Sequence, residues 1–359
     1  MDEPVAPLST ALAPPRRALV TRLQRIGDAI LTLPVVDALR VAFPECAIDY
    51  LAEEGPAQAA IGHPAIDRVL VLRKARAPFL PASPALLATL RARRYDWVID
   101  LYGNPRSALL SAWTGARVRV GPAGRARSRL YTHPVHSARA PMAATEHHLR
   151  SLSILGLAPR GSNPRIRLSE AESAEGRALL DRALPPGGAR VGLHVGNRWP
   201  AKRWPEERFA ALLGSLPRIG SRGIVLAGPG EIDIARRVAK GAGGSESLSA
   251  PIVVGLPLRR YWSVLAALDA LVTNDGSPLH AGPALGVPTV GILGPTEPDI
   301  WFPYDPRDGH QLLCKEIWCR PCHRHECVRM DCLDWIDVKD ALRAVERALS
   351  RGGAARATA

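Results

Sequence analysis

One short segment, residues 273–280, carries the clearest chemical signal in this 359-residue chain. It follows an apolar run that predicts a buried strand, and it opens a run of small residues that predicts a helix. Ser277 is predicted to cap this helix, and Pro278 suits its first position. The amides at such a helix start carry positive partial charge and bind phosphate. The segment therefore indicates a phosphate site at Gly276 and Ser277 with His280 as a further donor, although an ordinary capped connection also fits it.

Three other residues in the second half follow predicted strands and could contact a nucleotide. Lys202 comes just before a predicted helix, where the helix dipole favours anions, so it is a candidate phosphate ligand; a solvent-exposed lysine is the alternative. Glu231 follows a glycine-rich turn and could accept hydrogen bonds from ribose hydroxyls, or simply be an acid in a first helical turn. Thr296 lies in a turn after a later strand and is a candidate contact for a phosphate or a sugar.

The loop after the first predicted strand, residues 22–28, allows two interpretations of Asp28. This loop has one glycine and lacks the G-x-G-x-x-G pattern of dinucleotide-binding proteins, which disfavours a nucleotide-binding oxidoreductase. Asp28 could cap the following helix, or it could be a general base that takes a proton from a hydroxyl group. The segment alone favours the cap.

Five of the six cysteines lie between Cys314 and Cys332. Clustered cysteines in a reducing compartment suggest a metal rather than disulfides. A structural zinc ion bound by Cys319, Cys322, Cys327 and Cys332 is chemically sensible, but the spacing matches no standard zinc module. A set of reduced thiols is the alternative, and the sequence leaves both open.

The formal net charge of +13 indicates an anionic partner, although a composition rich in arginine, with solvated surface charge, also accounts for it. Nucleic acid, an anionic membrane surface and phosphorylated substrates are the candidates. Aromatic residues make up only 5% of the chain and few lie among the arginines, so a nucleic-acid-binding module is disfavoured. No apolar run approaches the roughly 18 residues that span a bilayer, and the first residues lack a signal-peptide pattern. We therefore expect a cytoplasmic protein that binds the anionic inner membrane peripherally.

Predicted strands and helices alternate along the whole chain. Such alternation predicts an α/β protein with parallel sheets covered by helices on both faces. The pattern occurs twice, which predicts two doubly wound, Rossmann-like domains, residues 16–185 and 186–359, facing a cleft.

Five motifs in order resemble one known family. They are Arg25-Ile26-Gly27-Asp28 with Pro34, then residues 202–205, 228–231, 274–280 and 294–298. The chain resembles the bacterial ADP-heptose:lipopolysaccharide heptosyltransferases, glycosyltransferase family 9. The resemblance implies a GT-B fold, with an N-terminal acceptor-binding domain and a C-terminal nucleotide-sugar domain. It also implies inverting transfer of heptose from ADP-heptose to a lipopolysaccharide inner-core acceptor, with no cofactor for catalysis.

The resemblance also implies roles for individual residues. Asp28 would be the base that activates the acceptor hydroxyl, and Arg25 would contact the acceptor. Fixed donors would stabilise the charge that develops on ADP. The donor-binding set would comprise Asn197, Lys202, Glu231, Asp275, Gly276, Ser277, His280 and Thr296. Two departures concern this set, because residues 195–197 read Val-Gly-Asn and because Gly276 precedes Ser277 where the family usually has the reverse order.

Overall fold

The computed structural model describes residues 12–73, 81–138, 140–158, 163–184, 186–242 and 250–357, the last six of these by backbone alone. They form two compact units that divide between Arg167 and Leu168. Each unit contains one six-stranded parallel sheet with helices, so the predicted α/β class is confirmed.

The first unit has the strand order β3-β2-β1-β4-β5-β6. The order reverses between β1 and β4, which is where ligands bind in doubly wound sheets. Its strands are β1 Arg17–Thr21, β2 Ala47–Glu53, β3 Arg68–Leu72, β4 Trp97–Asp100, β5 Val118–Pro122 and β6 His133–Val135. Its helices are α1 Ile26–Leu31, α2 Leu33–Ala42, α3 Glu54–Ala57, α4 Pro84–Ala92, α5 Pro105–Trp113 and α6 Ala144–Arg150.

The second unit repeats this topology with the order β12-β11-β10-β7-β8-β9. Here the order reverses between β7 and β10. Its strands are β7 Ala189–His194, β8 Ser221–Ala227, β9 Ile252–Val254, β10 Ala270–Asn274, β11 Thr289–Ile292 and β12 Gln311–Leu313. Its helices are α7 Glu170–Ala183, α8 Glu206–Ser215, α9 Ile232–Gly241, α10 Leu258–Ala266, α11 Ser277–Ala284, α12 Pro298–Trp301, α13 Asp331–Asp334 and α14 Val338–Ala357.

The central strands are apolar along most of their length because helices cover both faces of each sheet. In β1, Ala18 and Val20 belong to one buried apolar cluster, whereas Leu19 belongs to another. This alternation follows from the two-residue period of a strand, which sends successive side chains to opposite faces. The sheet therefore fixes the position of the loops that leave its carboxyl edge.

The structure places one helix in a different unit from the one that the sequence predicted. The predicted boundary follows Pro185, which lies outside the described residues, and it assigned α7 to the first domain. In the structure α7 belongs to the second unit and packs against α10. The approach is so close that a Cβ at Gly176 would overlap the backbone of Ser263.

A second difference concerns the helix predicted over residues 28–43. The structure has two helices there, α1 and α2, which join at Thr32. Pro34 lacks the N–H that a continuous helix would use to bond the residue four positions earlier, so it suits the first turn of a new helix. The short α1 keeps Asp28 near the carboxyl edge of β1.

The start of α7 provides a testable ion pair within the second unit. Ser169 and Glu172 form a reciprocal capping box, and Arg259 of α10 donates to both carboxylate oxygens of Glu172 at 2.5 and 2.7 Å. The bond from Arg259 is the largest cause that lowers the pKa of Glu172 from 4.5 to about 2. Because the pKa in the folded state is the lower one, this stabilisation is complete above about pH 4.5 and is lost as the pH falls toward 2.

We therefore expect Glu172→Ala to lower the free energy of unfolding by about 1 kcal/mol at pH 7, and by less as the pH falls below 4.5. Urea titrations at several pH values measure this difference. Glu175→Ala is the matched control, because its carboxylate pairs with Arg260 at 2.8 Å while both side chains are more than 40% exposed. Such a pair contributes well under 1 kcal/mol. A Glu172→Ala deficit that is unchanged at pH 3 would contradict the ion-pair explanation.

Candidate functional site

In the second unit, the loop after β7 and the start of α11 meet at the point where the strand order reverses. Asn197 in the loop donates through Nδ2 to the backbone oxygen of Asp275, at 2.6 Å. Asn274, the last residue of β10, accepts a bond from the amide of Trp204 at 3.0 Å and donates to the oxygen of Val195 at 3.0 Å. These bonds fix the two loops to each other, so the predicted donor-binding residues Asn197 and Asp275 do come together.

Lys202 lies at the centre of this contact. Its Nζ is 2.5 Å from Oδ2 of Asp275, and the hydroxyl of Thr296 donates to the same oxygen at 2.6 Å. The lysine and aspartate side chains are only 13% and 6% exposed. The Lys202 ammonium also lies 4.7 Å from the centre of the Trp199 ring. Lys202 is therefore a fixed, mostly buried cation and not the solvent-exposed lysine that was the alternative.

The helix that follows β10 starts differently from the prediction. Gly276 is the N-cap residue of α11, and Ser277 is its first helical residue. The prediction that Ser277 caps the helix is therefore wrong, because the extended backbone that precedes the helix belongs to Gly276. A glycine has no side chain with which to bond the first amides. This suits an anion site, since a ligand can bond such amides in place of a cap.

His280 lies in the same helix and is buried. Its Nδ1 is 2.9 Å from the hydroxyl of Tyr304, a buried residue that the sequence analysis did not single out. A hydrogen bond at one imidazole nitrogen determines which tautomer and which orientation the ring adopts. Tyr304 therefore fixes the ring of His280 within the candidate site.

Glu231 is the N-cap residue of α9, but its side chain bonds no amide of that helix and bends back toward the loop after β7. Its Oε2 accepts a bond from the amide of Gly228 at 2.7 Å. A Cβ at Gly196 would overlap this carboxylate, so the glycine makes room for it. In the sequence, Gly196 was noted only as part of the Val-Gly-Asn segment that departs from the family pattern. The structure shows a steric role for Gly196, because its lack of a side chain leaves room for the Glu231 carboxylate.

A buried histidine at the end of β7 was also not predicted. Nδ1 of His194 is 2.9 Å from the hydroxyl of Tyr261, and both residues are buried. Burial lowers the pKa of His194 to about 4, so the imidazole is neutral at pH 7. Its position as the last residue of an apolar strand is the signal that could have identified it.

In the first unit, the loop after β1 forms an ion pair. Nη2 of Arg22 donates to Oδ2 of Asp28 at 2.6 Å, and Nη1 donates to the oxygen of Leu101 at 2.7 Å. The cap interpretation of Asp28 is wrong, because Asp28 is the third residue of α1 and the N-cap is Arg25. The Asp28 carboxylate is thus directed to Arg22 at the carboxyl edge of the sheet.

Arg25, the predicted acceptor contact, is exposed and has a φ of 66°. Non-glycine residues adopt this left-handed conformation rarely, and such strained positions cluster at functional sites. The conformation turns the chain from β1 into α1 within the loop that carries Asp28. The role of Arg25 as an acceptor contact stays a prediction.

The cysteine segment, residues 314–332, contacts two loops of its own unit that carry predicted donor-binding residues. The oxygen of His325 accepts a bond from the amide of Ala201 at 3.0 Å, and its ring stacks on Trp199 with centres 3.8 Å apart. The amide of Cys322 donates to the oxygen of Pro295 at 3.1 Å. The segment therefore supports the two turns that carry Lys202 and Thr296.

The predicted zinc ligands do not form a metal site as the structure places them. All six cysteines are free thiols. Among the residues that the structure describes, no group of three or more His, Cys, Asp or Glu side chains is placed to hold a metal ion. The side chains of Cys319, Cys322, Cys327 and Cys332 thus do not fit tetrahedral zinc in this arrangement. The zinc site stays a prediction that metal analysis of the purified protein would test.

Comparisons with known proteins agree on one family. A family model described as glycosyltransferase family 9 (heptosyltransferase) matches residues 84–332. Lipopolysaccharide heptosyltransferase 1 of Pseudomonas aeruginosa is 30% identical over 328 residues, which cover 87% of this chain and 87% of that protein.

Two solved structures show the same fold. The glycosyl transferase family 9 structure from Veillonella parvula has a TM-score of 0.81 at 24% identity and covers 93% of this chain and 97% of that one. An Escherichia coli heptosyltransferase solved with ADP-2-deoxy-2-fluoro heptose has a TM-score of 0.68 at 23% identity and covers 92% of this chain and 99% of that one. These similarities confirm the predicted GT-B fold.

Proposed function

This chain belongs to glycosyltransferase family 9, the heptosyltransferases, and we propose that it transfers a heptose from ADP-heptose to a lipopolysaccharide inner-core acceptor. The first unit binds the acceptor and the second unit binds the nucleotide sugar. The transfer inverts the configuration at the anomeric carbon. The oxidoreductase and nucleic-acid alternatives are not favoured by any of the relatives described above.

The proposed reaction is a single displacement. The Asp28 carboxylate takes the proton of the acceptor hydroxyl while that oxygen bonds to the anomeric carbon. The bond from this carbon to the diphosphate breaks, and its electron pair leaves with ADP. The Lys202 ammonium, the amides of Gly276 and Ser277, and His280 stabilise the charge that develops on the diphosphate. This scheme assigns no step to a cofactor.

One observation supports the donor site most strongly. Lys202, Asp275 and Thr296 come from the loops after three neighbouring strands, and they meet next to a helix start that no side chain caps. A fixed cation beside the Ser277 amide at a helix start is an arrangement that suits a diphosphate. In this proposal Glu231, for which Gly196 leaves room beside the same loop, accepts bonds from the ribose hydroxyls.

A mass-spectrometric transfer assay tests the proposal directly. The protein is incubated with ADP-heptose and truncated core acceptors, and the product is expected to gain the mass of one heptose with release of ADP. Calorimetry with ADP, NAD and an oligonucleotide separates the three function classes. Binding of NAD or the oligonucleotide in preference to ADP, with no transfer, would exclude the proposed activity.

We also propose that the protein is cytoplasmic and binds the inner face of the anionic membrane peripherally. The structure describes no helix that is long and apolar enough to cross a membrane. Helix α5 exposes Leu109 and Trp113, each at 50%, and these residues lie one turn apart. The turn Ala126–Leu130 packs against α5. Arg125 precedes this turn and Arg129 lies within it, and both arginines are exposed. Apolar side chains beside arginines suit an anionic lipid surface.

We expect Leu109→Gln to weaken binding to vesicles rich in anionic phospholipid about fivefold. Transfer of the exposed half of the Leu109 side chain from water into lipid contributes about 1 kcal/mol to binding. Sedimentation with vesicles measures the partition. Val41→Gln is the control, since Val41 is 82% exposed on α2, away from this arginine cluster in sequence. Higher salt should weaken vesicle binding by the wild-type protein and by both variants. Binding that does not respond to salt, or equal losses in both variants, would contradict the proposed surface.

A further inference from the structure

We propose that Arg22 is a positioning residue for the Asp28 base, an inference that rests on the proposed function. Arg22 holds one oxygen of Asp28, so that the other oxygen takes the proton of the acceptor hydroxyl. Arg22 lies in the loop after β1, and the sequence predicted no role for it.

The guanidinium of Arg22 is fixed from several directions. Nη1 bonds the oxygen of Leu101, the residue directly after β4, and Nη2 bonds Asp28. The ring of Tyr102 lies 4.9 Å from the guanidinium carbon, and its hydroxyl donates to Gln24 at 2.8 Å. Arg22 therefore connects the ends of β1 and β4, the two strands between which the strand order reverses. Its position is determined by backbone that the sheet holds in place.

This geometry makes the two oxygens of Asp28 different. Oδ2 accepts the bond from Arg22 at 2.6 Å, and both side chains are less than 15% exposed. No hydrogen bond reaches Oδ1 from the part of the chain that the structure describes. A carboxylate held by one oxygen can present the other in a constant direction, which general base catalysis requires. Oδ1 is thus the oxygen that faces the acceptor hydroxyl.

The charges around the pair leave Arg22 as the cation in contact with Asp28. Helix α6 contributes His147 and His148, whose pKa values are lowered mainly by burial, so both are neutral at pH 7. Strand β2 contributes Tyr50, whose pKa burial raises to about 12, so it is also neutral. The remaining charged residues on the elements packed against α1 are Asp37 and Arg40 of α2, Glu54 of α3, and Glu146 and Arg150 of α6.

The contact has a consequence for the kinetics of variants. If Arg22 positions Asp28, its loss leaves the substrate-binding residues in place but lets the carboxylate turn, so kcat should fall while the KM for ADP-heptose changes little. A purely structural role of Arg22 would instead lower stability and leave the kcat of the folded protein nearly unchanged.

The test compares Arg22→Gln and Arg22→Lys with the wild-type enzyme. We expect Arg22→Gln to lower kcat at pH 7 at least tenfold with little change in the KM for ADP-heptose. Arg22→Lys keeps the charge but loses the rigid two-nitrogen fork that bonds Asp28 and the oxygen of Leu101, so it should recover part of the kcat that Arg22→Gln loses and remain several-fold below wild type. ADP affinity, measured by calorimetry, should not change in either variant.

Arg40→Gln is the matched control. Arg40 pairs with Asp67 at the same N–O distance of 2.6 Å in the same unit, and it also bonds backbone oxygens. Its removal should change stability without lowering kcat. A kcat near wild type in folded Arg22→Gln overturns the inference. If Arg22→Gln does not fold, a wild-type kcat in Arg22→Lys overturns it instead. Normal turnover in Asp28→Asn would reject the base assignment itself, which is a different failure.

Discussion

Asp28→Asn is expected to lower turnover by about 10²–10⁴, the usual contribution of a general base. Asparagine has nearly the same shape and can still accept the hydrogen bond from Arg22 at the position of Oδ2. It cannot take the proton of the acceptor hydroxyl. The loss should therefore appear in kcat, measured by ADP release, while calorimetric affinity for ADP stays near the wild-type value because the donor-binding residues belong to the other unit.

The competing interpretation of Asp28 makes a different prediction. If the carboxylate served only to pair with Arg22, Asp28→Asn would cost stability and leave turnover nearly normal. A melting-temperature measurement on the same sample separates the two effects. Asp67→Asn is a useful comparison, because Asp67 also accepts a 2.6 Å bond from an arginine in the first unit and has no proposed role in the reaction. Near-wild-type turnover in Asp28→Asn would remove Asp28 from the mechanism.

The repeated topology could be predicted because the central strands are buried on both faces and therefore appear as apolar runs. Three edge or near-edge strands escaped prediction. β6 has three residues and contains Pro134, which is tolerated only where a ladder hydrogen bond is not needed. β12 also has three residues, and β5 carries Arg119. Short, polar or proline-containing strands lack a clear periodic signal, and sheets commonly have such strands at their edges.

In the candidate site, too, features that depend on local sequence could be predicted, whereas contacts between distant segments could not. Each predicted residue follows a strand, and the carboxyl edge of a parallel sheet brings such residues together. The pairing of Lys202 with Asp275 could not be predicted, because it depends on the positions of β7 and β10 in the sheet. The cap assignments failed for a related reason. Asp28 and Ser277 both lie inside their helices by one or more residues, and sequence patterns do not determine helix starts that closely.

Lys202→Ala is expected to weaken ADP binding between roughly tenfold and 150-fold, because a hydrogen bond to a charged group contributes about 1.5–3 kcal/mol. The expected loss lies toward the upper end of that range. Without the ammonium, the Asp275 carboxylate, which is only 6% exposed, would face the diphosphate with no compensating cation. The repulsion between these like charges would add to the lost attraction.

The loss of ADP affinity in Lys202→Ala should be partly reversible. Asp275→Asn added to Lys202→Ala should restore some ADP affinity, since it removes the repelling charge while the new amide oxygen can still accept the bond from Thr296. The double-mutant cycle, followed by calorimetry, measures the coupling between the two side chains. Lys315→Ala is the control, because Lys315 forms a half-exposed pair with Asp340 in the same unit. Wild-type ADP affinity in Lys202→Ala would place the diphosphate elsewhere. A double variant weaker than Lys202→Ala would instead show that Asp275 contributes to binding beyond its contact with the lysine.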